Sequence, residues 1–345
     1  NHGEVLRQIG TAIRNADTLD ALKQAARDIR QQAGDTMAQG AAAEPLTQLI
    51  STLNDLLTVR VIELECMAAG PRHTDFCWIA LGSEGRYEQT LNTDQDNGII
   101  FPASARSRAS QARRTLLPVA RRINEALDAC GFSLCPGNIM ASNPELCLSL
   151  DEWKEKFSGW IDRCDPQALL NATIFFDFRP LFGRSELADE LRLWLAKQTG
   201  SNPLFLRQMA ANALRNRPPL GLVRDFAVGE GHTLDLKLNG ISPFVDAARI
   251  FSLATGGLQT GTLPRLRQAA ATLRVPPREA EAWGGAFLFI QLLRLRLHHQ
   301  QIEAAQPMSN RVDPDHLHDL DRRGLKEAFR QARMLQARLA LDYRL

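Results

Sequence analysis

The stretch from Phe76 to Phe101, FCWIALGSEGRYEQTLNTDQDNGIIF, decides how this chain is read. An apolar run meets Gly82-Ser83, a short polar segment follows, and a second apolar run opens with Asp94-Gln95-Asp96. The first run reads as a buried strand. Gly82-Ser83 reads as a tight turn whose backbone amides and hydroxyl can approach a polyphosphate. The polar segment reads as the first turns of a helix. Asp94 and Asp96 stand two apart on the second expected strand, so their side chains project to one face. Two carboxylates side by side repel unless a cation lies between them. Ligation by oxygen alone suits Mg²⁺ shared with the phosphates of a substrate.

At 345 residues the chain has room for two domains, or three, and for sizeable cores. Its 41 basic residues nearly balance 39 acidic ones, so nucleic acid is not expected as an obligatory partner. The six cysteines (Cys66, Cys77, Cys130, Cys135, Cys147 and Cys164) show no CxxC pair and no disulfide-like spacing. Several sit inside apolar runs, which fits a reduced, cytoplasmic protein. The N-terminus lacks a charged-then-apolar signal pattern. The most apolar helical stretch, Trp283 to Leu297, is too short for a membrane span and carries Arg294 and Arg296. It reads as a core helix whose arginines snorkel or pair with acids, and no membrane partner is expected.

Three regions are expected. Residues 1–70 are rich in Ala, Leu and Gln, and Leu46, Ile50, Leu53 and Leu57 mark one helix face. Gly34 and the Gly40 to Glu44 stretch break this region into two or three helices, which could cap a sheet or form a dimer surface. Residues 71–183 alternate short strands with helices. There Leu116, Ala120, Ile123 and Leu127 line a helix that Gly131 ends, and Phe132 to Cys135 reads as a short strand. Ser149 and Glu152 form a capping box, Asp165-Pro166 starts a further helix, and Thr173 to Phe178 reads as an apolar strand interrupted by Asp177. Residues 184–345 are helical again, with starts at Ser185 and Asn202-Pro203 and a stripe of Leu325, Phe329, Ala332, Leu335 and Leu339. Within them, Leu234 to Gly240 reads as a strand or extended turn. The fold class is therefore α/β (α+β): a small mixed sheet between an N-terminal helical segment and a C-terminal helical bundle.

The Gly-Ser turn followed by Asp-x-Asp resembles the nucleotidyltransferase superfamily, the fold of polymerase-β-like enzymes. A longer match is more specific: Gly82-Ser83-Glu84-Gly85-Arg86, Glu88, then Thr93-Asp94-Gln95-Asp96-Asn97. It is similar to a bacterial family of nucleotidyltransferases related to the PII-protein uridylyltransferase, often fused to CBS or cyclic-nucleotide-binding domains. The likeness continues through Phe176-Asp177-Phe178-Arg179-Pro180 and Leu234-Asp235-Leu236-Lys237. It covers nearly the whole chain, including a C-terminal substrate-binding domain, and it leaves sensory domains ahead of residue 1 as an expectation.

The resemblance implies in-line attack on the α-phosphorus of a nucleoside triphosphate, with pyrophosphate leaving and Mg²⁺ or Mn²⁺ as cofactor. Asp94 and Asp96 would hold the metal. A third carboxylate usually completes such a site, and Asp177 is the only acid inside a later apolar strand. Buried there, it must face a metal or a base, and pairing with Arg179 or another base is the competing reading. Gly82 and Ser83 would hold phosphates, Arg86 would add charge-assisted hydrogen bonds, and Glu88 would orient Arg86 or a metal-bound water. Lys237 would reach the nucleotide or acceptor, although a surface lysine is the plainer reading. His298-His299 and His316-x-His318 stand as neighbouring pairs on polar helix ends and read as solvated rather than metal-binding. No GxxxxGK[ST] occurs, which argues against a P-loop enzyme. By resemblance the acceptor is a protein hydroxyl in a regulatory pathway, with a homodimer possible; a small-molecule acceptor and a nucleotide-sensing module without turnover are the alternatives.

Overall fold

A computed structural model of the chain describes residues 2–70, 75–103, 105–221 and 226–345. They divide into two compact units, Asn1–Gly159 with Ile174–Leu195, and Trp160–Thr173 with Ala196–Leu345.

Three helices open the first unit: α1 (His2–Asn15), α2 (Leu19–Ala38) and α3 (Ala43–Ala69). Thr18 caps α2 by accepting from the Ala21 amide. Gly34 does not break the region; it is buried within α2, and the breaks fall at residues 16–18 and 39–42. A single glycine in a helix costs about 1 kcal/mol relative to alanine, which flanking good helix formers can carry. The predicted stripe of Leu46, Ile50, Leu53 and Leu57 is buried on α3.

The sheet follows, as β1 (Cys77–Ala80), a single helical turn α4 (Gly82–Gly85), β2 (Asn97–Phe101), α5 (Arg106–Ala129), β3 (Cys147–Ser149) and α6 (Leu150–Arg163). Then come α7 (Pro166–Ala172), β4 (Arg179–Gly183) and α8 (Ser185–Gly200). The strand order is β3-β2-β1-β4, with β1 antiparallel to β2 and β4, and β2 parallel to β3, so the sheet is small and mixed. Every residue of β1 and β2 is buried, as their continuous apolar runs require. Leu116, Ala120, Ile123 and Leu127 of α5 share one core with Leu57 and Ile62 of α3 and Trp78 and Ile99 of the sheet. The N-terminal helices therefore cap the sheet. The capping box at α6 forms as expected, with Glu152 N donating to Ser149 Oγ (3.1 Å) and Ser149 N to Glu152 Oε1 (2.8 Å).

Two expected strands are absent. Around Phe132–Cys135 there is only an isolated bridge between Ser133 and Asp94, too short a pairing to build a ladder. Thr173–Asp177 is a 3₁₀ turn, and the strand begins at Arg179. The reason lies in two adjacent phenylalanines that both point inward. Phe176 meets Phe157 edge-on at 5.1 Å, and Phe175 meets Trp153 at 6.3 Å. A strand would send them to opposite faces.

The second unit is helical. After α7 come α9 (Pro203–Ala213), the short strand β5 (Leu234–Asp235), α10 (Ser242–Thr255), α11 (Thr262–Thr272) and α12 (Pro277–Glu303). The strand β6 (Arg311–Val312) pairs antiparallel with β5, and α13 (Asp319–Tyr343) closes the chain. Asp165 and Asn202 cap α7 and α9 as predicted. Leu234–Gly240 is extended for only two residues. Asp235 Oδ1 then accepts from the Lys237 and Leu238 amides, which starts a π-helical turn over Leu236–Ile241. The stripe on α13 is buried. Trp283–Leu297 lies inside α12, and among the described residues no helix is long and apolar enough to cross a membrane. Arg296 approaches Asp321 (3.6 Å), whereas Arg294 bonds the neutral side chains of Gln291 and Asn310.

Candidate active site

Strand β1 ends at Ala80, and Leu81 holds its amide on the backbone oxygen of Asp96 (2.9 Å). The chain then turns through Gly82, whose φ of +57° lies in the left-handed region. A Cβ here would stand 2.9 Å from Ile174 and 3.3 Å from Asp96 Oδ2, so glycine is required both by backbone conformation and by space. The same distance places the Asp96 carboxylate against the turn. Gly85 meets the other side of the site, since a Cβ on it would fall 1.8 Å from the backbone oxygen of Asp177. The α4 turn thus lies between the Asp96 and Asp177 segments. The first amides of a helical turn lack intrahelical acceptors, and α4 is too short to add a macrodipole.

Asp94 is exposed, Asp96 half-buried and the Gln95 between them wholly buried, the alternation expected of an extended chain. The strand itself begins later than expected, at Asn97.

Arg86, directly after α4, is held by two acids: Nε donates to Glu88 Oε1 and Nη1 to Asp177 Oδ2, both at 2.9 Å. All three side chains are buried. Asp177 therefore meets a base, as its competing reading held, but the base is Arg86. Arg179 instead reaches Asp55 of α3 (2.8 Å) and the Glu84 carbonyl (3.0 Å), with its guanidinium 3.8 Å from the centre of the Tyr87 ring. Asp94, Asp96 and Asp177 do not form a close triad. Among the described residues, the one set of three acidic, histidine or cysteine ligands within 4.8 Å of one another is His232, Asp313 and Asp315. Lys237 belongs to the second unit, where it is exposed at the start of the π-helical turn.

Three groups at the site carried no sequence assignment. Glu84 stood in the motif unexplained. It is buried, and its carboxyl is pushed well above the ordinary carboxylate range by burial, then by the charges of Asp96 and Asp55. Asp55 is raised by burial against the pull of Arg179; no sequence pattern distinguishes it from other polar residues of α3. The Cys135 thiol is pushed up by burial and by Asp96, to which it hydrogen-bonds. The carboxylates of Asp94 and Asp96 are hard oxygen donors of the kind that could hold a divalent cation. The histidines divide. His299 approaches Glu303 (3.2 Å), but His298 is wholly buried on α12, bonded to Asn310, and pushed down to about 4 by burial and by Arg294.

A small mixed sheet whose first strand ends in a glycine turn against the acids leading into the second defines a nucleotidyltransferase. The family model described as "Putative nucleotidyltransferase DUF294" matches residues 27–167, and that described as "Putative nucleotidyltransferase substrate binding domain" matches residues 203–343. The chain belongs to this family. No curated protein matches it.

Proposed function

We propose that the protein transfers a nucleoside monophosphate from a nucleoside triphosphate to a hydroxyl of a protein side chain in a regulatory pathway. Asp94 and Asp96 would hold Mg²⁺ or Mn²⁺. The observation that carries this reading is the contact between Asp96 and the Gly82 turn, which sets a cation-seeking carboxylate beside amides suited to phosphate. The acceptor oxygen forms a bond to the α-phosphorus while the bond to the bridging oxygen breaks. That oxygen leaves with its electron pair as pyrophosphate, and the hydroxyl proton passes to water. A divalent cation, when bound, supplies neutralisation of the phosphate charge.

In this reading Gly82 and Ser83 seat the phosphates. Asp177 and Glu88 fix the guanidinium of Arg86 beside that seat, which makes Asp177 a support rather than a metal ligand. The substrate-binding description of the matched C-terminal model supports a docking role for the second unit, with Lys237 on it. The functional division then runs as a helical segment at 1–70, a transfer domain at 71–183 and a docking domain at 184–345; residues 71–74 lie outside the described residues.

The test is incubation with each α-labelled nucleoside triphosphate and Mg²⁺, with and without host lysate. A labelled protein band is expected with the wild type and none with Asp94→Asn or Asp96→Asn, both folded by circular dichroism. Equal labelling by variants and wild type would sink the assignment.

A further inference from the structure

Behind the two acids lies a buried cluster of three amide side chains. Gln95 and Asn97 alternate with Asp94 and Asp96 and point inward, and Asn124 meets them from the C-terminal third of α5. Asn124 Nδ2 donates to Gln95 Oε1 (2.8 Å) and to Asn97 Oδ1 (3.0 Å). Its Oδ1 accepts from the Ser142 amide (3.0 Å), and its backbone oxygen accepts from Gln95 Nε2 (2.8 Å). Gln95 Nε2 also donates to the Phe132 carbonyl (3.0 Å), and Asn97 Oδ1 also accepts from the Ala141 amide (2.8 Å). None of these side-chain atoms is among the buried polar atoms without a partner.

Such a cluster is an unusual choice for a helix–sheet core. Asparagine is a weak helix former, and apolar side chains of similar volume would fill the same space. What amides add is direction. Apolar packing tolerates a chain that slides, whereas a hydrogen bond fixes which atom faces which. The segment needs that information, because it is not yet part of the ladder: the strand starts at Asn97, and Asp94 makes only an isolated bridge. A slip of one residue would turn Asp94 and Asp96 inward and Gln95 outward.

We infer that Asn124 is a positioning residue for Asp94 and Asp96: by clamping the amides on either side of Asp96, it aims both carboxylates at the cation. The inference rests on the assignment of those two acids to the cation, and two measurements keep the claims separable. The first is amide hydrogen exchange over residues 94–97, which needs no metal. The second is binding of Mn²⁺ alone, followed by electron paramagnetic resonance. Asn124→Ala is compared with Leu116→Ala, a core truncation on the same helix, below the unfolding temperature of both. Asn124→Ala should speed exchange at 94–97 and weaken Mn²⁺ binding by about tenfold or more. Leu116→Ala should do neither, even where it lowers the melting temperature as much. Unchanged exchange in Asn124→Ala, or Mn²⁺ binding equal to that of Leu116→Ala, overturns the positioning role. Mn²⁺ binding by Asp96→Asn equal to wild type overturns the cation assignment and the inference with it. Should Asn124→Ala fail to fold, Asn124→Asp keeps the volume and the acceptor facing Ser142, and is read by the same two measurements.

Discussion

Two groups of acids in this chain resemble each other in composition and differ in how their charge is met. In the second unit Asp313 and Asp315 stand with His232, and their ligand atoms form the tighter cluster. That cluster carries its own bases. His232 Nε2 lies 2.7 Å from Asp315 Oδ2, and Arg322 lies 3.2 Å from Oδ1 of the same carboxylate. His316 approaches Asp313 at 3.8 Å. At the candidate active site the balance runs the other way: burial first, then the charges of Asp96 and Asp55, push Glu84 up against the pull of Arg179. Proximity of acids does not by itself mark a cation site; in the reading proposed above, the site is the Gly82 turn, where the acids have fewer bases beside them.

The sharpest way to break this comparison is to unbalance the buried side deliberately. Arg86→Met leaves Asp177 and Glu88 buried without their shared guanidinium, and removal of one partner from a buried pair costs about 3–5 kcal/mol. Urea unfolding should show that loss, and Arg86→Met combined with Asp177→Leu should recover part of it. A single variant as stable as wild type would mean that the network is not what holds the turn. Gly85→Ala comes next. Its Cβ would fall 1.8 Å from the Asp177 carbonyl, where no flexible side chain can give way. A loss of about 3 kcal/mol is expected, the upper end of the usual overpacking range. A neutral Gly85→Ala would show that α4 can move away from Asp177.

The parts of this site that the sequence reveals are those with local physics. The Gly82 turn, the Asp94–Asp96 alternation, the buried runs of β1 and β2 and the caps at Ser149, Asp165 and Asn202 each depend on neighbours within a few residues. Asp177 shows where local reading stops. A short apolar run with one acid is compatible with a strand or a turn. The choice was made by Trp153 and Phe157, about 20 residues away, which draw both phenylalanines to one side. The partner of Asp177 lies 91 residues earlier, and Asp55 lies 124 residues from Arg179. No periodicity encodes such pairs. Asn124 left only a faint signal, a polar residue beside Ile123 on an otherwise apolar helix face.

The contrast between met and unmet charge extends to two histidines of the second unit. His298 is held near 4, below the ordinary 6.5, so the unfolded chain takes up a proton first as pH falls. Its stabilising contribution is present above pH 6.5 and is lost as pH drops toward 4. Between pH 7 and pH 5 the loss is about 2 kcal/mol. Urea unfolding at the two pH values should show it in the wild type and not in His298→Gln. Equal acid sensitivity in both would assign the effect to other groups.

His232 should give the smallest effect, and its sign is opposite. Its hydrogen bond to Asp315 raises its pKa above the ordinary value, so its contribution is full below pH 6.5 and is lost as pH rises through the folded value. The group is open to solvent, where such pairs contribute little. His232→Asn should therefore leave the melting temperature unchanged at pH 8.5 and lower it only slightly at pH 6. The same variant tests the comparison from its other side. A cluster that already carries His232 and Arg322 gains little from a further cation, so Mn²⁺ should raise the melting temperature of wild type and His232→Asn alike, through Asp94 and Asp96. If the Mn²⁺ shift disappears in His232→Asn and survives in Asp96→Asn, the cation belongs to the exposed cluster, and excess charge is the wrong criterion for this molecule.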